Sequence, residues 1–295
     1  MLKDKNITII GMGLLGTSLA MALRGKCAKI TGWSRSADSR SHAMNVGALD
    51  CTAETPQEAM AMADVVVICL PIPRIIDFLY EYADNIPATA AVTDIGSVKH
   101  IITVAGEKTV GGRFIGSHPM AGTEKSGGKA AFATLYAHAE VFVTPTQSTD
   151  RDALNTVVAM WESIGTSVKQ MPPTEHDELV AHTSHISHLL ALGLTLSVLD
   201  ESDPARKGDR FSGCATGFRD TSRIVSSMPS MWREIIEANR PAVLGAMDEF
   251  QSHFSYIRQL IEEGRFDEFE ELFAQGKSLR DSWIDYKNRE HGCDW

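Results

Sequence analysis

The sequence predicts an α/β fold: a doubly wound, mostly parallel sheet followed by an all-helical domain. Three observations carry this. Val- and Ile-rich runs alternate with amphipathic stretches through the first half. A Gly-x-Gly-x-x-Gly turn follows the first of those runs. After about residue 171 only helical patterns remain. Apolar strands separated by helices are the mark of parallel βαβ units covered on both faces.

The strands are expected at 6–10 (NITII), 29–33 (KITGW), 64–70 (DVVVICL), 90–95 (AAVTDI), 113–117 (RFIGS) and 140–145 (EVFVTP), with a last one at about 166–171. A helix is expected over about 150–163. From 174 to 201 the chain reads as one long helix, opened by Pro172, Pro173 and Thr174 and by acidic residues suited to a helix N-terminus. Two further helical stretches complete the chain. The expected division is 1–170 for the sheet domain and 171–295 for the helical one. The wide apolar faces of the helical half suggest a second copy as the partner, hence a homodimer.

Composition narrows the classes of function. Of 295 residues, 43% are hydrophobic and 22% charged, ordinary for a globular enzyme. A net charge of −10 argues against nucleic acid or an anionic membrane as partner. No apolar run is read as long enough to span a bilayer, and no signal-peptide pattern is read at the N-terminus. Cys27, Cys51, Cys69, Cys214 and Cys293 are odd in number and widely spaced, which suggests reduced thiols in a cytoplasm.

The glycine turn is Gly11-x-Gly13-x-x-Gly16, with Leu15 inside it. It sits between the first strand and the first helix, where a Rossmann-type fold binds the pyrophosphate of a dinucleotide. Leu70 and Pro71, ending a neighbouring strand, are expected under the same cofactor. The end of the second strand carries Ser34, Arg35 and Ser36, and no acid before Asp38. Arg35 could pair with a 2′-phosphate, which leans to NADP over NAD; stacking on the adenine or pointing to solvent remains the other reading.

Substrate chemistry is expected at the strand tips. Ser97 follows the strand at 90–95, and His118 ends the next one; both could face the nicotinamide. His118 could take a proton while hydride leaves the same carbon, or merely satisfy loop backbone. The helical half adds Ser184, His185 and His188, a spacing without a zinc pattern, so no metal is expected. Arg223 could clamp a carboxylate with its planar fork, or form a surface ion pair with a nearby acid.

The stretches GMGLLGTSLA, TDIGSVK, GSHPMAGTEKSG, TEHDELVAHTSHISH and GFRDTSRI…PSMWREI, in this order over about 6–240, resemble the prephenate dehydrogenase family. The resemblance implies NAD(P)-dependent oxidative decarboxylation of prephenate or arogenate in tyrosine biosynthesis. It implies that His118 takes the proton of the 4-hydroxyl, assisted by Ser97. Arg223 and His188 would hold the substrate, and Thr123 and Glu124 would border its pocket. Trp232 would reach toward a partner subunit's site. Ser187, Ala215 and Thr216 depart from the family's pattern and leave prephenate against arogenate open. Two other classes fit the outline: a reductase of a β-hydroxyacid or an imine, and a nucleotide-sensing protein that lost its chemistry.

Overall fold

A computed structural model gives the fold, describing residues 2–123 and 125–291. Eight strands form one sheet: β1 Asn6–Ile10, β2 Lys29–Trp33, β3 Cys51–Thr52, β4 Val65–Ile68, β5 Ala91–Asp94, β6 Phe114–Pro119, β7 Glu140–Thr144 and β8 Ser167–Gln170. Their spatial order is β3-β2-β1-β4-β5-β6-β7-β8, and every pairing is parallel except β6 with β7. The expected strands are all present, their ends shifted by a residue or two. Strand β3 is an addition; so short a strand leaves no periodic signal.

The helices are α1 Leu14–Leu23, α2 Ala37–Asn45, α3 Pro56–Met60, α4 Ile72–Tyr82, α5 His100–Val110, α6 Arg151–Ser163, α7 Pro173–Val180, α8 Ile186–Leu199, α9 Pro204–Gly213, α10 Thr216–Ser222, α11 Pro229–Ala238, α12 Arg240–Glu262 and α13 Phe266–His291. Alternate residues of a strand face opposite sides, so the sheet has two cores. Ile7, Ile9, Val65 and Val67 pack with Leu19, Val157 and Trp161 on one face. Ile10, Val66 and Ile68 pack with Ile75, Phe78, Ile102 and Ile235 on the other. Helix α11 thus joins α4 and α5 as cover for the second face.

The helix expected over 174–201 runs from 173 to 199 but is not regular. Between α7 and α8 it passes through one π-helical turn, Ala181–His185, in which Ile186 N–H reaches Ala181 O. Such a turn inserts a residue and rotates the next stretch of helix, which periodicity does not reveal. This segment also corrects the reading that no apolar run could span a bilayer. Pro173–Leu199 has 27 residues, with an 18-residue stretch of mean hydropathy 1.2, enough by length and composition. It carries the buried His176, Asp177 and His185, which mark it as a helix of the fold.

The chain gathers into two compact units, 1–242 and 243–295. Within the second, Phe254, Phe273, Leu279 and Trp283 are exposed. Cys27, Cys51, Cys69 and Cys214 are free thiols, and Cys293 lies outside the described residues.

Candidate active site

The glycine turn has the stereochemistry that a phosphate cradle requires. Gly11 has φ +105°, and a Cβ there would stand 2.2 Å from Cys69 O. A Cβ on Gly16 would stand 1.9 Å from Gly11 O. Gly13 meets nothing within 4 Å, so its side is open to a ligand. Gly13 is also the cap residue of α1 and offers no side-chain cap, leaving the first N–H groups of the helix free for an anion. Leu70 lies beside Gly11, and Leu15 O accepts from Tyr136 Oη at 3.0 Å. Pro71 is exposed at the start of α4. These residues fit a dinucleotide.

At the end of β2, Arg35 is exposed, and among the described residues it has no carboxylate within 4 Å. Ser36 caps α2, its Oγ accepting from Ser39 N at 3.2 Å, and its hydroxyl proton stays available. Ser34 O accepts from the buried Arg40 at 2.7 Å, which also pairs with Glu54 at 2.6 Å. Arg40, which no sequence pattern singles out, is the brace of this loop.

His118 lies in β6, opposite Phe142 of the antiparallel β7. Its Nδ1 is 2.9 Å from His176 Nε2, and His176 Nδ1 is 2.8 Å from Asp177 Oδ1. The carboxylate accepts only, so His176 donates from Nδ1 and accepts at Nε2; His118 then donates from Nδ1. His118 Nε2 is left with a free lone pair. Asp177 also receives Lys99 N at 2.7 Å on Oδ1 and His100 N at 2.9 Å on Oδ2, so it caps α5 as well.

Below His118 lies a fully buried ion pair, Lys99 with Asp94. Lys99 Nζ donates to Ser117 O at 2.8 Å, while Asp94 accepts Ser117 N at 3.1 Å and Gly96 N at 2.7 Å. The tips of β5 and β6 are thereby locked together. Burial, then His176, Lys99 and His185, hold His118 well below the usual histidine pKa. Burial also lowers His176 and Lys99.

The π turn brings His185 inward, buried, with its pKa pushed down by burial to about 4. His188 Nδ1 donates to Ser184 O at 3.0 Å, and its ring stacks on Trp232 at 3.8 Å between centroids. Burial and the charge of Arg223 lower His188. Arg219 takes Asp220 as its ion-pair partner at 2.8 Å, and Arg223, exposed, has no carboxylate within 4 Å among the described residues. Ser97 is half-buried three residues beyond β5. Thr123 is exposed, its Oγ1 accepting from Lys125 N at 3.2 Å, and Glu124 lies outside the described residues. Trp232, expected to reach toward a partner's site, stacks on His188 of its own protomer. Among the described residues no group of three His, Cys, Asp or Glu is set to hold a metal ion.

A glycine turn shaped for a dinucleotide at the head of a doubly wound sheet, with a buried imidazole on β6 of the same sheet, fits a dinucleotide-dependent dehydrogenase. Residues 19–170 match the prephenate dehydrogenase nucleotide-binding domain, and residues 172–275 match the prephenate dehydrogenase dimerization domain. The chain belongs to the prephenate dehydrogenase family. It is 32% identical to a cyclohexadienyl dehydrogenase of Zymomonas mobilis, over 94% of this chain and 95% of that one. The structure of a prephenate dehydrogenase from Aquifex aeolicus, in complex with hydroxyphenyl propionate and NAD+, has a TM-score of 0.89 and 32% identity, covering 95% of this chain and 99% of that one. A Synechocystis arogenate dehydrogenase has a TM-score of 0.85 and 29% identity, covering 95% and 100%.

Proposed function

We propose that this chain oxidises and decarboxylates prephenate to 4-hydroxyphenylpyruvate with NAD(P), in the cytoplasm, as a step of tyrosine biosynthesis. The supporting observation is the relay Asp177–His176–His118, which ends in an open imidazole nitrogen. When bound, the nicotinamide supplies an acceptor for the hydride that leaves C4. His118 Nε2 takes the proton of the 4-hydroxyl as hydride leaves C4, making a C4 carbonyl, and returns it once decarboxylation has turned that oxygen into a phenolate, which gives the phenol of the product. The ring carboxylate departs as carbon dioxide and its bonding pair completes the aromatic ring. The positive charge arising on His118 is felt by Asp177 through His176. Lys99 is one cation against the two carboxylates Asp94 and Asp177, so an imidazolium at His118 brings this cluster to neutrality. Ser97 holds the hydroxyl beside His118. Arg223 grips a carboxylate of the substrate and His188 helps to bind it, with Ser184, His185 and Trp232 as further binding residues and Thr123 bordering the pocket.

Arogenate is the second reading. A prephenate, an arogenate and a cyclohexadienyl dehydrogenase stand at 32%, 29% and 32% identity, which favours neither substrate. For the cofactor we favour NADP, with Arg35 as the partner of its 2′-phosphate beside Ser34 and Ser36. We assign 1–170 to the nucleotide and 171–295 to substrate and dimerisation.

One spectrophotometric assay tests the whole reading: prephenate and arogenate, each with NAD+ and with NADP+, followed by the absorbance of the reduced nicotinamide. Turnover of prephenate with preference for NADP+ is expected, and Arg35→Asp should reverse that preference. No turnover of either acid would overturn the function. An unchanged nucleotide ratio in the variant would remove Arg35 from the phosphate.

A further inference from the structure

Asn239, between α11 and α12, is buried and touches two parts of the site at once. Its Nδ2 donates to Asp177 O at 2.8 Å and lies 3.2 Å from His185 Nδ1. An amide nitrogen carries two hydrogens and accepts nothing, whereas a main-chain carbonyl only accepts. Turning the amide over would press Oδ1 against Asp177 O, two acceptors face to face. The carbonyl of Asp177 therefore decides which end of Asn239 meets His185. His185 Nδ1 must then present a lone pair, and its single proton sits on Nε2.

We propose that Asn239 is a positioning residue that holds His185 as the neutral Nε2–H tautomer, keeping one uncharged hydrogen-bond donor at the substrate site. The consequence for turnover rests on the dehydrogenase reading above; the tautomer does not. The groups around His185 are His118 from β6, His176 and Asp177 from α7, His188 from α8 and the Trp232 ring from α11. Among the described residues, the polar side-chain atoms sealed off without a partner include Trp232 Nε1 but not His185 Nε2, which stays open to a ligand's acceptor. A dianionic substrate would favour a second imidazolium here. That charge would oppose the one forming on His118. An amide donor facing Nδ1 rejects the extra proton, so His185 binds without competing with the base.

The test is NMR on the full chain with nitrogen-15-labelled histidine, using two-bond proton–nitrogen correlations between pH 6 and 8, about the range in which free histidine changes charge. His185→Gln assigns the signals. A neutral His185 protonated on Nε2 is expected; an Nδ1–H tautomer or an imidazolium would overturn the proposal. In Asn239→Asp the carboxylate should draw a proton onto Nδ1, lower kcat roughly ten- to a hundredfold and move the acid limb of its pH profile upward. A variant with the parent's tautomer and pH profile would also overturn it. If Asn239→Asp does not fold, the parent spectrum still decides. That spectrum needs no substrate: a correct tautomer in a protein that leaves prephenate untouched would fault the reaction, not the lock.

Discussion

In the proposed reaction, what suits His118 to act as the base is its surroundings. Burial, His176, Lys99 and His185 all keep it neutral at a pH where a free imidazole is part-charged. A base so depressed holds a proton weakly, and the relay to Asp177 offsets this at the moment of transfer. His118→Asn should lower kcat by about 10²–10⁴-fold and leave the dissociation constant for NADP+, read by quenching of tryptophan fluorescence, unchanged. In the parent, the acid limb of kcat/KM should lie below the ordinary histidine value of about 6.5. An undiminished kcat in the variant, or a parent limb above that value, would show that this imidazole is not the base.

The π turn is the element that assembles the candidate site, since it is followed by His188 stacked on Trp232 and ends in His185 edge-on to the same ring. Here the sequence was partly legible. The strands, the glycine turn and His118 follow from local pattern, because periodicity and turn chemistry are local. His176 and Asp177 were in plain view in TEHDE, but they read as an acidic helix start. Their meeting with His118 and Lys99 spans 58 and 78 residues, and a hydropathy pattern names a buried face without naming its neighbour. Asn239 is hidden for the same reason; the sequence reads as one helical stretch through it, whereas the structure breaks there between α11 and α12. A polar residue on an apolar flank was the one available signal, and His185 carried it. His118, His176, His185 and His188 are all lowered in the fold. Above about pH 6.5 both folded and unfolded forms are neutral there. As pH falls below it the unfolded chain takes protons that the fold refuses, so stability declines, for His185 down to its value of about 4. Melting temperature should therefore fall between pH 7 and 5; a flat or rising profile would mean these imidazoles are charged in the fold.

At the scale of the molecule, a single protomer leaves much apolar surface uncovered. Phe254, Phe273 and Leu279 are 59%, 71% and 66% exposed on the last two helices. Exposed apolar surface of that extent marks an association face, and the matched dimerization domain reaches to residue 275. Sedimentation should give the mass of two copies, and Phe273→Asp combined with Leu279→Asp should give one. A monomeric parent would refute the homodimer. The Asp177 carboxylate carries a last consequence. One side chain both closes the start of α5 and anchors the proposed proton path. A substitution there that silences turnover must also loosen the scaffold. Loss of chemistry by way of Asp177 therefore yields no well-folded, inert nucleotide-holding shell, whereas loss by way of His118 can.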